Sequence, residues 1–247
     1  MAYINVSNLK VYYEKLGRKP KKVVLLHGWG QNTQMMAFMA EFLSKHFTVY
    51  NIDFPGFGKS EEPHNAWGCD DYTEFLHNFC LENKIESPIF IAHSFGCRIA
   101  LRYAYKYGAH KMVLTGAAGI RDTRHIFWYI KTYTYKLGKK ILPKKIIQKY
   151  QNSIGSEDYK NSSGVMRETF VKVVNDDVKE ILNKIDCETL LVFGENDNAT
   201  PLSKGKLMEK LIPNATLVVF ENDDHFAYFN QAQRFNAVLD AFLRSEY

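Results

Sequence analysis

Pro88-Ile89-Phe90-Ile91-Ala92-His93-Ser94-Phe95-Gly96-Cys97-Arg98-Ile99-Ala100-Leu101 changes period in its middle. Ile89 to Ala92, bounded by Pro88, is a short continuous apolar run, the pattern of a strand buried on both faces. Beyond Gly96, Ile99, Ala100, Leu101 and Ala104 recur at helical spacing, with Arg98, Arg102 and Lys106 on the other face. Ser94 therefore sits where a buried strand turns sharply into a helix. A turn that tight strains the serine backbone and needs small residues on either side, as in G-x-S-x-G. Here the five residues read Ala-His-Ser-Phe-Gly, with Ala92 replacing the first glycine and Gly96 keeping the second. The turn aims the Phe95 N–H and the helix N-terminus at whatever approaches the serine. A serine that merely caps a helix would read the same way, so the rest of the chain has to decide.

On the N-terminal side, residues 2–6 and 9–14 have the alternation of a hairpin with Asn8 at its turn. Lys22 to Leu26 is a mostly apolar strand ending in His27-Gly28-Trp29-Gly30, and residues 33–45 have helical spacing. Phe47 to Ile52 predicts a strand, followed by Asp53-Phe54-Pro55-Gly56-Phe57-Gly58-Lys59-Ser60, which is dense in turn residues. Asp70 to Asn83 reads as a helix. On the C-terminal side, Met112 to Thr115 is apolar and strand-like. Residues 121–186 break the rhythm with helix-like stretches and no convincing strand. Alternation resumes with a strand at Thr189 to Phe193, a helix at Ser203 to Leu211, a strand at Thr216 to Phe220 and a helix at Phe226 to Leu243.

Strands alternating with helices predict an α/β fold, a mostly parallel central sheet covered on both faces. Its core is expected from residues 1–120 and 187–247, with 121–186 inserted as a helical cap. At 247 residues one domain with an inserted lobe is expected. The four cysteines, Cys69, Cys80, Cys97 and Cys187, are widely spaced and form no C-x-x-C pair, so they read as reduced thiols of a cytoplasmic protein. Met1 to Asn5 lacks a basic segment followed by an apolar run, so no secretory signal is expected. No apolar run approaches a membrane span.

In open sheets of this kind ligands bind at the carboxyl ends of the strands, and the suspicious residues collect there. A serine hydroxyl is a weak nucleophile at neutral pH. It needs a base within reach, and the base needs an acid to fix its tautomer. Ser94, Asp197 and His225 each follow a strand and occur in that order. Asp197 lies in Gly194-Glu195-Asn196-Asp197-Asn198-Ala199-Thr200-Pro201, where an Asx-turn is the plainer reading; Glu195 and Asp122 are rival acids. His225 has the plainer reading of a solvated loop histidine. His93 is a rival base, but a residue adjacent to Ser94 on so tight a turn points elsewhere.

Taken together, His27-Gly28-Trp29-Gly30, the Asp53 to Ser60 loop, the turn at Ser94, the Gly194 to Pro201 loop and the terminal His225 resemble the α/β-hydrolase superfamily over nearly the whole chain. The resemblance implies Ser94 as nucleophile, His225 as general base and then acid, and Asp197 as the orienting carboxylate. It further implies an oxyanion hole from the backbone N–H groups of Trp29 and Phe95, and no metal or organic cofactor. Haloalkane dehalogenases and epoxide hydrolases of the superfamily carry an aspartate at the turn; serine there points to acyl transfer to water. The expected activity is a serine carboxylesterase acting on a small-molecule ester or thioester. Carbon–carbon bond hydrolysis with the same three residues and a non-catalytic ligand-binding protein are the alternatives.

Net charge is +5, yet His125 to Ser156 alone carries seven lysines (Lys131, Lys136, Lys139, Lys140, Lys144, Lys145 and Lys149) and no acid, so the remainder is net negative. With Phe127, Trp128, Tyr129, Tyr133 and Tyr135 this segment reads either as a cap with solvated lysines or as a basic rim that attracts an acyl chain on an anionic carrier. Peripheral membrane contact is a third reading. Nucleic acid is not an expected partner.

Overall fold

A computed structural model describes residues 2–121 and 157–247. The aromatic and lysine side chains singled out between Phe127 and Lys149, and the rival acid Asp122, lie outside the described residues.

The chain opens with a hairpin, β1 (Ala2–Val6) and β2 (Leu9–Leu16). Its two-residue turn puts both Ser7 and Asn8 at positive φ, 52° and 63°, the backbone of a turn whose twist matches that of the strands it joins. Then follow β3 (Lys22–Leu26), α1 (Ala37–Leu43), β4 (Thr48–Ile52), α2 (Cys69–Glu82), β5 (Ile89–His93), α3 (Phe95–Tyr107) and β6 (Lys111–Thr115). The helix expected over 33–45 begins as a 3-10 turn, Thr33–Met36, capped by the Asn32 side chain, before it becomes α1.

Between β6 and the next strand the described residues supply α4 (Glu157–Asn161), α5 (Gly164–Val174) and a 3-10 turn, Lys179–Lys184, with no strand among them. The last part is β7 (Glu188–Gly194), α6 (Leu202–Leu211), β8 (Ala215–Phe220), α7 (Ala227–Asn230) and α8 (Ala232–Leu243). The single helix expected from Phe226 is thus two, broken at Gln231, whose φ of −112° and ψ of 48° are not helical.

The sheet runs β1-β2-β4-β3-β5-β6-β7-β8. Only β2 runs against the rest, since it pairs antiparallel with both β1 and β4 while every later pairing is parallel. Alternate residues of each buried strand go to opposite faces. Val24, Leu26, Phe90, Ala92, Met112, Leu114, Leu191 and Phe193 meet α2, α3 and α6. Val23, Leu25, Ile89, Ile91, Val113, Leu190 and Val192 meet α1 and α8. Continuous apolar runs, unreadable by period, are strands buried on both sides.

This order also places the site. The chain leaves β3 to one side, forming β4, then crosses to the other side to form β5. The register pairs Leu26 with Ala92, so the loop after β3 and the turn after β5 emerge side by side at the carboxyl edge, where the winding reverses. Strand β7 pairs Gly194 with Phe220 of β8, which brings the two C-terminal loops together at the same edge.

Candidate active site

Ser94 takes φ 48° and ψ −106°, between β5 and the first residue of α3. That conformation belongs to glycine at the first central position of a II′ turn and is strained for a residue with a Cβ. Its backbone is held from below: the Ser94 N–H donates to the Thr115 carbonyl at 3.0 Å. Gly96 must be small because a Cβ there would collide with the Leu26 carbonyl oxygen. Alanine at position 92 fits, fully buried in the sheet.

Asp197 closes an Asx-turn with one oxygen and meets His225 with the other. Oδ1 accepts the N–H groups of Ala199 and Thr200, both at 2.8 Å, which closes the turn. Oδ2 faces the imidazole of His225, with Nδ1 at 2.7 Å, and also accepts the Thr200 hydroxyl at 2.7 Å. The Asp197 side chain is fully buried. Burial pushes its pKa up, but the hydrogen bonds from His225 and from the Thr200 backbone and hydroxyl outweigh that and hold the carboxyl below its ordinary value. An ionised Asp197 fixes the imidazole proton on Nδ1 and leaves Nε2 as an acceptor.

Thr200 was not singled out by sequence. Its hydroxyl also lies 3.2 Å from His225 Nδ1, so it touches both side chains of the pair. Its position three residues after Asp197 is the one available signal. Gly116 lies on the other side: at φ 49°, a Cβ on it would fall 2.9 Å from His225 Nδ1.

Glu195 and His93 make other contacts. Glu195 is exposed and accepts the Asn222 N–H at 3.0 Å. His93 is fully buried, its Nδ1 against the Thr115 hydroxyl at 3.0 Å and its ring 4.7 Å from that of His225. Burial, with the neighbouring His225, drives the His93 pKa well down, so it stays neutral beneath the His225 ring. Among the other histidines, His110 does have a partner, Glu246, with Nε2 and Oε2 at 2.8 Å.

The loop after β3 is built around His27. The Phe54 N–H donates to its Nε2 at 3.0 Å, so the ring proton sits on Nδ1 and is donated to the Gly28 carbonyl at 2.7 Å. Burial lowers the His27 pKa to about 4 and keeps the ring neutral. The Gly28 carbonyl also accepts the Gln31 N–H. In a trans peptide the carbonyl and the following N–H point opposite ways, so this engagement turns the Trp29 N–H away from His27. Neither the Trp29 nor the Phe95 N–H has an acceptor among the described residues.

A cavity of about 430 Å³ joins these parts. Ser94, Phe95, Trp29, Thr200 and His225 line it, with Phe170 and Val173 of α5 and Asp158 of α4 across from them. Trp29 packs edge-on against Phe57 and Phe95, at 4.8 and 5.4 Å between ring centres, and against Phe170 at 5.1 Å. Ser94 Oγ opens on this space and makes no hydrogen bond to His225 among the described residues. Nor do three His, Cys, Asp or Glu side chains converge there, or elsewhere among the described residues, so as to hold a metal ion. No described helix is long and apolar enough to cross a membrane.

The protein is similar to an AB hydrolase superfamily protein, YisY, of Bacillus subtilis, at 24% identity, covering 97% of each chain. It is similar to a pimeloyl-[acyl-carrier protein] methyl ester esterase of Proteus mirabilis, at 21% identity over 93% of this chain and 95% of that one. A meta-cleavage product hydrolase from Pseudomonas fluorescens superposes with a TM-score of 0.77 at 23% identity, covering 100% of this chain and 98% of that one. The sequence profile of the Alpha/beta hydrolase family matches residues 23–238, and with the strained serine turn and the sheet order in place the chain belongs to that family.

Proposed function

We propose that the protein is a serine hydrolase that cleaves a carboxylic ester or thioester through an acyl-enzyme on Ser94. The observation that carries this reading is the 2.7 Å contact between Asp197 and the His225 imidazole, whose cavity is shared with a strained, outward-facing serine.

In the first half-reaction His225 Nε2 removes the Ser94 proton as Oγ attacks the carbonyl carbon. Negative charge moves to the carbonyl oxygen, where the N–H groups of Trp29 and Phe95 stabilise it. The imidazolium, held by Asp197, then protonates the leaving alcohol or thiol. In the second half, His225 takes a proton from water, hydroxide attacks the acyl carbon, and Ser94 leaves with the proton returned. Residues 121–186 act as the cap of this site; in support, Asp158, Phe170 and Val173 line the cavity. Whether the basic stretch within it draws an anionic acyl carrier is tested by glutamine at Lys139, Lys140, Lys144 and Lys145, with turnover of acyl-carrier substrates expected to fall.

A fluorophosphonate probe tests the reading. Covalent labelling that disappears in Ser94→Ala supports it, and a panel of p-nitrophenyl esters then reports the acyl length the cavity accepts. An intact protein that takes no label favours the non-catalytic binding protein instead. Labelling with turnover of a vinylogous 1,5-diketone and of no ester favours carbon–carbon bond hydrolysis.

A further inference from the structure

Among the described residues Arg98 makes no direct ion pair, although the Asp176 and Asp177 carboxylates are near enough to favour its charge. It stands one helical turn beyond Ser94 on α3, and a helical side chain leans back over the turn N-terminal to it, so Arg98 lines the same cavity as the serine. Its Nη1 donates to the Asp176 carbonyl at 2.8 Å. The Asp176 carboxylate is taken by Arg102, through Nε at 3.0 Å and through Nη2, and Arg102 also pairs with Asp70 at 2.8 Å. Among the described residues Arg98 has no ion pair and no hydrogen bond besides the one to Asp176. Burial lowers its pKa, which is the mark of a guanidinium short of water. A cation withdrawn from water is costly unless a partner arrives.

The surroundings say which part of a substrate brings that partner. Ala118, Phe170, Val173 and Val174 form the wall shared with Arg98, which suits methylene groups. A second cavity, about 510 Å³, adjoins the first at Trp29, Gln31, Asp158 and Phe226. Asp158 borders both cavities; beyond it the second is lined by Glu62, Asn161, Ser162 and Ser163 together with Gly56, Phe57 and Met166, so the acid peculiar to it is Glu62, and it suits a neutral or hydroxylated leaving group better than an anion. We propose that Arg98 anchors a carboxylate carried at the far end of the acyl group, so that the preferred substrates are half-esters of dicarboxylic acids. The proposal rests on the serine hydrolase reading and narrows its substrate class. A planar guanidinium with free N–H donors takes a carboxylate in two parallel hydrogen bonds, which a lysine cannot reproduce.

The test compares two esters of equal acyl length, the p-nitrophenyl monoester of adipic acid and p-nitrophenyl hexanoate. The wild-type protein is expected to favour the acid ester by about tenfold or more in kcat/KM. In Arg98→Gln the ratio of the two kcat/KM values is expected to fall by about 10- to 100-fold, the range for losing a hydrogen bond to a charged group, with most of the change in KM. Arg98→Lys should fall in between. A wild-type protein indifferent to the carboxylate overturns the proposal even if the Gln variant does not fold. So does an equal loss on both esters, which marks Arg98 as a clamp on the end of α5 only. If Ser94 takes no label and neither ester turns over, the hydrolase reading fails by itself. The anchor is then read by calorimetric titration of Ser94→Ala with the adipate monoester, where heat lost on adding Arg98→Gln supports it and heat retained refutes it.

Discussion

Replacing Ser94 by glycine should make the protein inactive and more stable at once. At φ 48° and ψ −106° the serine Cβ is strained, while glycine takes that conformation freely. Such strain costs about 1–3 kcal/mol. Against the relief stands the extra freedom of glycine in the unfolded chain, about 0.5–1 kcal/mol. The serine hydroxyl has no hydrogen bond to lose among the described residues, so the net gain over wild type is about 0–2.5 kcal/mol, and about 1 kcal/mol at mid-range. Ser94→Ala is the control, because it removes the same hydroxyl and keeps the Cβ and hence the strain. For a chain of this size about 1 kcal/mol moves the melting temperature by about 2–4 °C. Calorimetric melts of the three proteins, with urea titrations at 25 °C, therefore read the strain directly. Both variants should be inactive, with Ser94→Gly melting above Ser94→Ala by a few degrees. If glycine melts at or below alanine, the turn is not a strained position, and the claim that the fold holds this serine in an unfavourable shape is wrong.

Asp197→Asn should lower kcat by about 10⁴. Because the Ala199 and Thr200 N–H groups demand an acceptor where Oδ1 stands, the amide must turn its NH2 toward His225. The imidazole proton is then forced onto Nε2, the atom that has to accept; stopped-flow ester turnover checks this. Thr200→Val keeps the shape but removes the hydroxyl donated to Asp197, so kcat/KM should fall by about 10-fold or more, the loss of one hydrogen bond to a charged group, and the acid limb of the pH–rate profile should move upward. An unshifted limb would count against a role for that hydroxyl. At the far end of the molecule Glu246, 7% exposed, receives Lys21 at 2.6 Å, His110 at 2.8 Å and Lys111 at 3.2 Å. Burial opposes its ionisation, but these partners prevail and hold its pKa at about 2. A depressed carboxyl pKa gives stability that is complete above the unfolded value, about 4.5, and is lost as pH falls toward 2. Allowing for the half-exposed Lys21 and His110, the contribution is about 2 kcal/mol. Glu246→Gln should be less stable than wild type at pH 7 by that amount, and urea midpoints of the two should converge near pH 2.

The apolar pattern by itself marked most strands and helices of the core, because a strand buried on both faces is a short continuous apolar run and an amphipathic helix recurs at its own period, and Ile89–Ala92 and Ile99–Ala104 supply one of each. It also determined which residues sit at strand ends, hence Ser94, Asp197 and His225. Register and sheet order decided the rest. Nothing local tells that β3 and β5 become neighbours, with Leu26 opposite Ala92, or that Gly194 meets Phe220. Those pairings bring His225 and Asp197 into contact at the edge that carries Ser94, while His93 lies buried and Glu195 turns to Asn222. Thr200 and Arg98 carry only weak signals, a place three residues after Asp197 and a place on the polar face of a helix, and Gly116 carries none. Their contacts join residues far apart in the chain, and only burial and hydrogen bonding across the finished sheet set those distances.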